Sequence, residues 1–163
     1  MARPGRNASA ENVLNPSRTF FITTKTSMGR RLLQSERNAG LLIDVLRSLV
    51  AERRFQLHDF VVMPDHLHAL ITVSDGMTIE KTMQLLKGRF SYRLSHEFGF
   101  AGEVWQRGFS EVQVMSRFVF EKYCEYIKAN PVTAGLVRDG EEYPFCYRSL
   151  AKAKAEQGLK PHG

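Results

Sequence analysis

A β-hairpin is predicted by residues 57–73, which read Leu57-His58-Asp59-Phe60-Val61-Val62-Met63-Pro64-Asp65-His66-Leu67-His68-Ala69-Leu70-Ile71-Thr72-Val73. Two runs rich in β-branched and apolar residues, Leu57 to Met63 and Leu67 to Val73, flank the turn-forming pair Pro64-Asp65. A connection this short forces the two strands to run antiparallel. The hairpin therefore predicts the centre of an antiparallel sheet.

The segments on either side of the hairpin predict two strands and three helices. Extended segments are predicted at Thr19 to Thr24 and at Val104 to Val114, and apolar periodicity of three and four residues predicts helices from about Ser35 to Phe55 and from Thr78 to Phe98. Ser116 can cap a third helix, which we expect to stop near Asn130 because Pro131 disfavours helical geometry in the residue before it. The order β-α-β-β-α-β is that of an α+β, ferredoxin-like split βαβ fold, with a four-stranded antiparallel sheet, helices on one face and the other face free.

Length and composition limit the classes of protein that this chain can represent. Its 163 residues are 43% hydrophobic, which suits one folded domain at 18–150 between mobile tails at 1–17 and 151–163, the second of them basic. The sequence has no apolar run of membrane-spanning length and no secretory leader, so we expect a cytoplasmic protein without a membrane partner. The cysteines, Cys124 and Cys146, form no Cys-x-x-Cys pair and indicate structural thiols. A net charge of +6 favours polyanionic partners.

Two pairs of polar residues are candidates for a metal-binding or catalytic site. His66 and His68 flank Leu67 on a predicted strand, so both imidazoles point to one face, about 6 to 7 Å apart, and could hold one divalent cation. Tyr126 and Asn130 are four residues apart on the third helix and share one face of it. Each pair also has a non-functional interpretation. His66 and His68 could be two solvent-facing histidines, and Tyr126 and Asn130 could be a packed tyrosine and a residue that ends the helix.

Four blocks of the sequence, in order, resemble one protein family. They read Met63-Pro64-Asp65-His66-Leu67-His68, Leu86-Lys87-Gly88-Arg89-Phe90-Ser91, Val104-Trp105-Gln106-Arg107-Gly108-Phe109-Ser110, and Tyr126-Ile127-Lys128-Ala129-Asn130-Pro131-Val132-Thr133-Ala134-Gly135-Leu136-Val137. The chain resembles the HUH single-tyrosine transposases of small bacterial insertion sequences, and most closely the REP-associated tyrosine transposases. The resemblance extends over about 19–149, nearly the whole predicted domain.

The resemblance implies an activity and assigns residues to it. It implies a metal-dependent enzyme that cleaves and rejoins single-stranded DNA beside a hairpin, with His66, His68 and Asn130 as ligands of Mg²⁺ or Mn²⁺ and Tyr126 as the nucleophile that forms a 5′-phosphotyrosine. Tyr123 is the rival nucleophile, but it lies seven residues from Asn130, or about 10.5 Å along a helix, whereas Tyr126 lies one turn away.

Contacts to DNA are expected from the second helix and from the segment that follows it. The residues concerned are Lys87, Arg89, Arg93, Gln106 and Arg107. A solvated helix face is the alternative for these charges, and Trp105 is expected in the core. The alternative to a transposase is a non-catalytic or domesticated protein that binds nucleic-acid hairpins. For either function the chain could act as a monomer or as a homodimer.

Overall fold

Strands and helices follow one another in the predicted order in the computed structural model, which describes residues 15–150. They are β1 (Thr19–Lys25), α1 (Glu36–Ala51), β2 (Phe55–Met63), β3 (His66–Val73), α2 (Ile79–Phe98), β4 (Ser110–Gln113) and α3 (Arg117–Thr133). The strands form one antiparallel sheet in the order β2-β3-β1-β4. The predicted α+β split βαβ fold is confirmed. The tails expected at 1–17 and 151–163 lie outside the described residues, apart from 15–17.

One face of the sheet carries the main core beneath α1 and α2. Both helices begin at the residues that the sequence suggests, because Ser35 accepts a hydrogen bond from the backbone N–H of Asn38 and Thr78 accepts one from that of Lys81. Their apolar stripes meet the inward-facing strand residues, and the most deeply buried members include Ile22, Leu42, Leu46, Leu49, Phe60, Leu67, Met83, Phe90 and Leu94. No helix within residues 15–150 is long and apolar enough to span a membrane.

The opposite face of the sheet, which we expected to be free, is partly covered by α3. Ile127 of this helix is buried against a second apolar cluster, which also contains Phe21, Val61, Met63, Leu70 and Val114. Phe120, Cys124 and Ile127 lie on the side of α3 that packs on the sheet. The helix therefore divides this face, and only part of it stays accessible.

The predicted end of α3 at Asn130 is wrong. The N-cap at Ser116 is confirmed by its hydrogen bond from the N–H of Val119, but the helix continues through Pro131 to Thr133. Proline has no N–H to donate, which costs one helical hydrogen bond. Burial of Pro131 and the backbone hydrogen bond from Leu136 to its carbonyl, at 2.9 Å, stabilise the last turn despite that loss.

A half-buried carboxyl group lies under α3. A register shift between Leu57 and Asp59 in β2 brings Asp59 to a cavity of about 230 Å³, which Cys124 also lines. Asp59 Oδ1 accepts a hydrogen bond of 2.9 Å from the N–H of Phe60. Burial raises the pKa of the Asp59 carboxyl to about 6, although that hydrogen bond and a second one from Cys124 act against the rise.

This carboxyl should make stability fall as the pH rises. Its pKa is higher in the folded than in the unfolded chain, so the folded state binds the proton more tightly, and stability falls between about pH 4 and pH 6. Asp59→Asn keeps an acceptor oxygen without the charge, and we expect it to raise the free energy of unfolding by about 2 kcal/mol at pH 7.5 and by almost nothing at pH 4. Urea unfolding at both pH values measures this gain.

The exposed Asp139 is the matched control, and Asp139→Asn should change stability little at either pH. A gain for Asp59→Asn that is equal at pH 4 and pH 7.5 would contradict this account of the Asp59 carboxyl.

Candidate active site

Two histidines at the start of β3 lie on the face that α3 partly covers. His66 and His68 point to this face, while Leu67 between them is fully buried in the main core, as the alternation of strand side chains predicts. The expected spacing of 6 to 7 Å is wrong for the ring nitrogens, because the two Nε2 atoms are 3.1 Å apart. The rings turn toward each other, and their Nε2 atoms lie at hydrogen-bonding distance.

Each imidazole is held in this orientation through its other nitrogen. His66 Nδ1 is 2.7 Å from Asp65 Oδ1, and His68 Nδ1 is 2.8 Å from the hydroxyl oxygen of Thr23 on β1. A carboxylate only accepts, so the Nδ1–H of His66 donates to Asp65 and leaves the lone pair on Nε2. Sequence reasoning missed both partners, because Asp65 was assigned only to the turn and nothing in the local sequence connects Thr23 with His68.

The environment of His68 keeps its ring uncharged. Burial, together with the nearby His66 and Lys25, lowers the pKa of His68 to about 4. Its side chain is therefore the neutral imidazole at neutral pH, which is the form that binds a metal ion.

The tyrosines of α3 occupy different environments. Tyr126 is 50% exposed, and its ring centroid is 5.4 Å from that of His68. Tyr123 stacks on Phe21 with ring centroids 4.1 Å apart, and it belongs to the apolar packing beneath the helix. Asn130 lies one turn after Tyr126 and is half-buried, and within residues 15–150 its side-chain amide makes no hydrogen bond. Of the two candidate nucleophiles, the accessible one is Tyr126.

The histidine pair suits one divalent cation. The two Nε2 atoms are at hydrogen-bonding distance, 3.1 Å apart, which is close enough for one divalent cation to bind both in place of that hydrogen bond. Ligating histidines usually donate their second nitrogen to a carboxylate, hydroxyl or carbonyl oxygen, as Asp65 and Thr23 allow here. In the described part of the chain no three His, Cys, Asp or Glu residues cluster to hold a metal. Asn130, which was predicted as the third ligand, offers an amide oxygen from α3.

The segment before β4 lies beside the histidine end of the sheet. The backbone N–H of Gln106 donates to the carbonyl of Lys25 at 2.8 Å, and Lys25 is the strand partner of His66. The side chains of Gln106 and Arg107 are exposed there. Trp105 is 7% exposed and packs on Phe90, which confirms its expected place in the core.

The three predicted DNA-binding residues of α2 have partners within the protein and are not brought to the histidine pair. Lys87 Nζ donates to the carbonyls of Gln106 and Gly108 at 3.0 and 2.7 Å. Arg89 is paired with Glu52, and Arg93 is paired with Asp44 and Glu97. These two arginines belong to the helical layer on the opposite face of the sheet. A contact between them and DNA stays a prediction, whereas Lys87 anchors the segment that carries Gln106 and Arg107.

A family model assigns the chain. The model described as "Transposase IS200 like" matches residues 21–130, which include both histidines, Tyr126 and Asn130. The chain belongs to the IS200-like transposase family. It is therefore classed with enzymes that cleave and transfer DNA strands.

Relatives of this transposase agree with that assignment. The REP-associated tyrosine transposase of Escherichia coli K12 is 27% identical over 137 residues, which cover 82% of this chain and 79% of the relative. The structure of a REP-associated tyrosine transposase bound to a REP hairpin superimposes with a TM-score of 0.67 at 23% identity, over 99% of this chain and 89% of the other. A transposase candidate from Deinococcus radiodurans has a TM-score of 0.53 at 23% identity, over 68% and 88% of the two chains. Both structures share the fold.

The role of Lys87 can be separated from a direct DNA contact. Lys87→Met removes both hydrogen bonds to the 106–108 segment, so we expect faster hydrogen exchange at the Gln106 amide and a loss of stability of about 1 kcal/mol. The slope of log affinity for DNA against log salt should stay unchanged, whereas loss of a phosphate contact lowers that slope by about 0.7 for single strands. Native-state hydrogen exchange and salt titrations measure these effects, and Arg93→Met, whose partners lie elsewhere, is the control for the exchange. Unchanged exchange at Gln106 would contradict the anchoring role.

Proposed function

We propose that this transposase is a metal-dependent endonuclease that cleaves and rejoins single-stranded DNA beside hairpins, through a 5′-phosphotyrosine on Tyr126. The observation that carries the proposal is the half-exposed ring of Tyr126, 5.4 Å from that of His68, whose Nε2 converges with that of His66. Residues 18–150 form the catalytic domain. A nucleophile and a cation site on one accessible part of the sheet are what a phosphodiester transfer requires.

The chemistry follows from the side chains. The phenol oxygen of Tyr126 attacks the scissile phosphorus, a bond forms between that oxygen and phosphorus, and the bond to the 3′-oxygen breaks. The leaving strand takes a proton to end as a 3′-hydroxyl, and the phenol proton passes to solvent, which the half-exposed side chain can reach. One phosphodiester bond is exchanged for another, so the reverse attack by a 3′-hydroxyl rejoins DNA without a nucleotide cofactor.

His66, His68 and Asn130 would hold the cation, which we propose to be Mg²⁺ or Mn²⁺. When bound, it supplies positive charge that offsets the negative charge of the phosphate oxygens. Asp65 and Thr23 orient the two imidazoles, so the Nε2 atoms stay directed at one point before DNA arrives.

A hairpin in single-stranded DNA is the proposed substrate. One relative is named as a REP-associated transposase, and the fold neighbour was solved on a REP hairpin. The net charge of +6 and the exposed Gln106 and Arg107 beside the histidines suit a phosphate backbone. Because its proposed substrate is chromosomal DNA, we propose that the protein acts in the cytoplasm. We propose that it acts there as a monomer or a homodimer.

Substitution of the nucleophile tests the proposal directly. Tyr126→Phe removes only the attacking oxygen, so we expect normal binding of single-stranded hairpin DNA and no covalent adduct. The measurement is a denaturing gel of protein incubated with labelled hairpin oligonucleotides in Mg²⁺, in Mn²⁺ and in chelator. The oligonucleotides come from DNA flanking the gene.

The neighbouring tyrosine provides the matched control. Tyr123→Phe keeps the ring that stacks on Phe21 and should still form the adduct. His66→Ala and His68→Ala should lose metal-dependent cleavage. An adduct with Tyr126→Phe would refute the assignment of the nucleophile, and hairpin binding without any adduct from the wild type would support a non-catalytic binding protein instead.

The orienting residues can be tested without DNA. Thr23→Val removes the hydrogen bond to His68 Nδ1, and we expect Mn²⁺ binding to weaken by about 10- to 100-fold, as is usual when the partner of a ligating histidine is lost. Electron paramagnetic resonance of free Mn²⁺ measures the affinity. Ser110→Ala changes the neighbour of Thr23 on β4 and should leave the affinity unchanged. Equal Mn²⁺ binding by Thr23→Val and wild type would contradict the orienting role.

A further inference from the structure

Lys25 ends β1 directly opposite the first histidine of the pair. In the β1–β3 register Thr23 is the partner of His68 and Lys25 is the partner of His66, with Cα atoms of such pairs about 4.5 to 5.5 Å apart. Directly opposed residues project to the same face of a sheet, and the hydrogen bond between Thr23 and His68 confirms which face this is. The side chain of Lys25 therefore extends from the face that carries both imidazoles.

The backbone of Lys25 is fixed while its ammonium group is unused. Its carbonyl accepts from the N–H of Gln106 at 2.8 Å, and the next residue, Thr26, donates its N–H to the carbonyl of Asp65 at 3.0 Å. Within residues 15–150 the exposed side chain of Lys25 forms no ion pair and no hydrogen bond. Asp65, the acidic residue beside it in the hairpin turn, has its carboxylate on His66 Nδ1.

Charge at the site points to what this lysine can bind. Asn130 is an uncharged amide, and Asp65, the carboxylate next to the pair, is already hydrogen-bonded to His66 Nδ1. Arg89 and Arg93, which were expected to contact DNA, are paired with carboxylates in the helical layer. Arg107 is exposed like Lys25, but only Lys25 is the strand partner of His66. Lys25 is thus an exposed positive charge without an ion pair within residues 15–150, opposite His66 and on the face of the sheet from which Tyr126 would attack a phosphate.

We propose that Lys25 is a catalytic residue whose ammonium group binds a non-bridging oxygen of the scissile phosphate. This inference rests on the function proposed above. As the phenol oxygen of Tyr126 adds to phosphorus, negative charge builds on the non-bridging oxygens, and a preplaced cation stabilises this transition state more than the ground state. Lys25 transfers no proton. The bond that forms joins the Tyr126 oxygen to phosphorus, and the bond that breaks joins phosphorus to the 3′-oxygen.

The test combines removal of the lysine charge with removal of the phosphate charge. Lys25→Met keeps an unbranched apolar stem, and single-turnover adduct formation on a hairpin oligonucleotide should slow by about 100-fold or more, as for loss of one donor to a developing oxyanion. A methylphosphonate at the scissile position removes the negative charge of that phosphate. On this neutral substrate the rates of wild type and Lys25→Met should become nearly equal.

Binding gives a second measurement that a purely structural role would not change. In the Tyr126→Phe background, which forms no adduct, Lys25→Met should lower the slope of log affinity against log salt by about 0.7, the value for one phosphate contact on a single strand. Lys25→Arg retains the charge and should recover most of the cleavage rate. Lys81→Met removes an exposed charge from the start of α2, on the far side of the sheet, and controls for net charge.

The outcomes separate this inference from the proposed function. If wild type forms no adduct, the proposed function fails. If wild type forms an adduct and Lys25→Met forms it at the same rate, only the role of Lys25 fails. A defect of Lys25→Met that is equally large on phosphodiester and methylphosphonate would also overturn it, because the lysine would then not act on the phosphate charge.

Discussion

The antiparallel pairing of β1 with β3 is the constraint on which the candidate active site depends. Its register places Thr23 opposite His68 and Lys25 opposite His66, two positions that are more than forty residues away along the chain. A slip by one residue would turn Thr23 toward the main core and remove its hydrogen bond to His68. Burial of Ile22 and Leu67 on the other side of the same strands fixes the register. The packing of the core therefore sets the geometry of the histidines.

The position of α3 determines which tyrosine is accessible. Ile127 is buried on the sheet, and Tyr123 is stacked on Phe21, so the part of the helix that carries these residues is used for packing. Tyr126 lies at the border of the packed stripe, where its ring touches the histidine region and half of its surface stays in solvent. One helix thus stabilises the fold and presents a candidate nucleophile without a mobile loop.

Local sequence patterns predicted the elements that local physics controls. The hairpin, the helix starts near Ser35 and Thr78, the cap at Ser116, and the common face of His66 and His68 all follow from side-chain alternation, periodicity and hydrogen bonding close in sequence. The end of α3 was predicted wrongly, because burial of Pro131 and contacts of the following turn outweigh the local preference.

The features of the site that the sequence did not predict depend on contacts between residues far apart in the chain. The convergence of the two Nε2 atoms depends on Thr23, which only the strand register brings to His68. The carboxylate partners of Arg89 and Arg93 include Asp44 of α1 and Glu52, which directly follows α1, and no sequence pattern along α2 predicts these ion pairs. Spacing singled out the four site residues and family resemblance assigned their roles, whereas the positions of Thr23, Asp65 and Lys25 at the site are evident only in the folded chain.

The most direct test of the central claim, that the histidine pair and Tyr126 form one site, is a crystal structure of the protein with Mn²⁺ and a hairpin oligonucleotide, using anomalous scattering to locate the metal. The account predicts one strong peak bonded to Nε2 of both His66 and His68, with the Tyr126 hydroxyl facing the phosphate beside it. A peak elsewhere, or a phosphate that faces Tyr123, would contradict it.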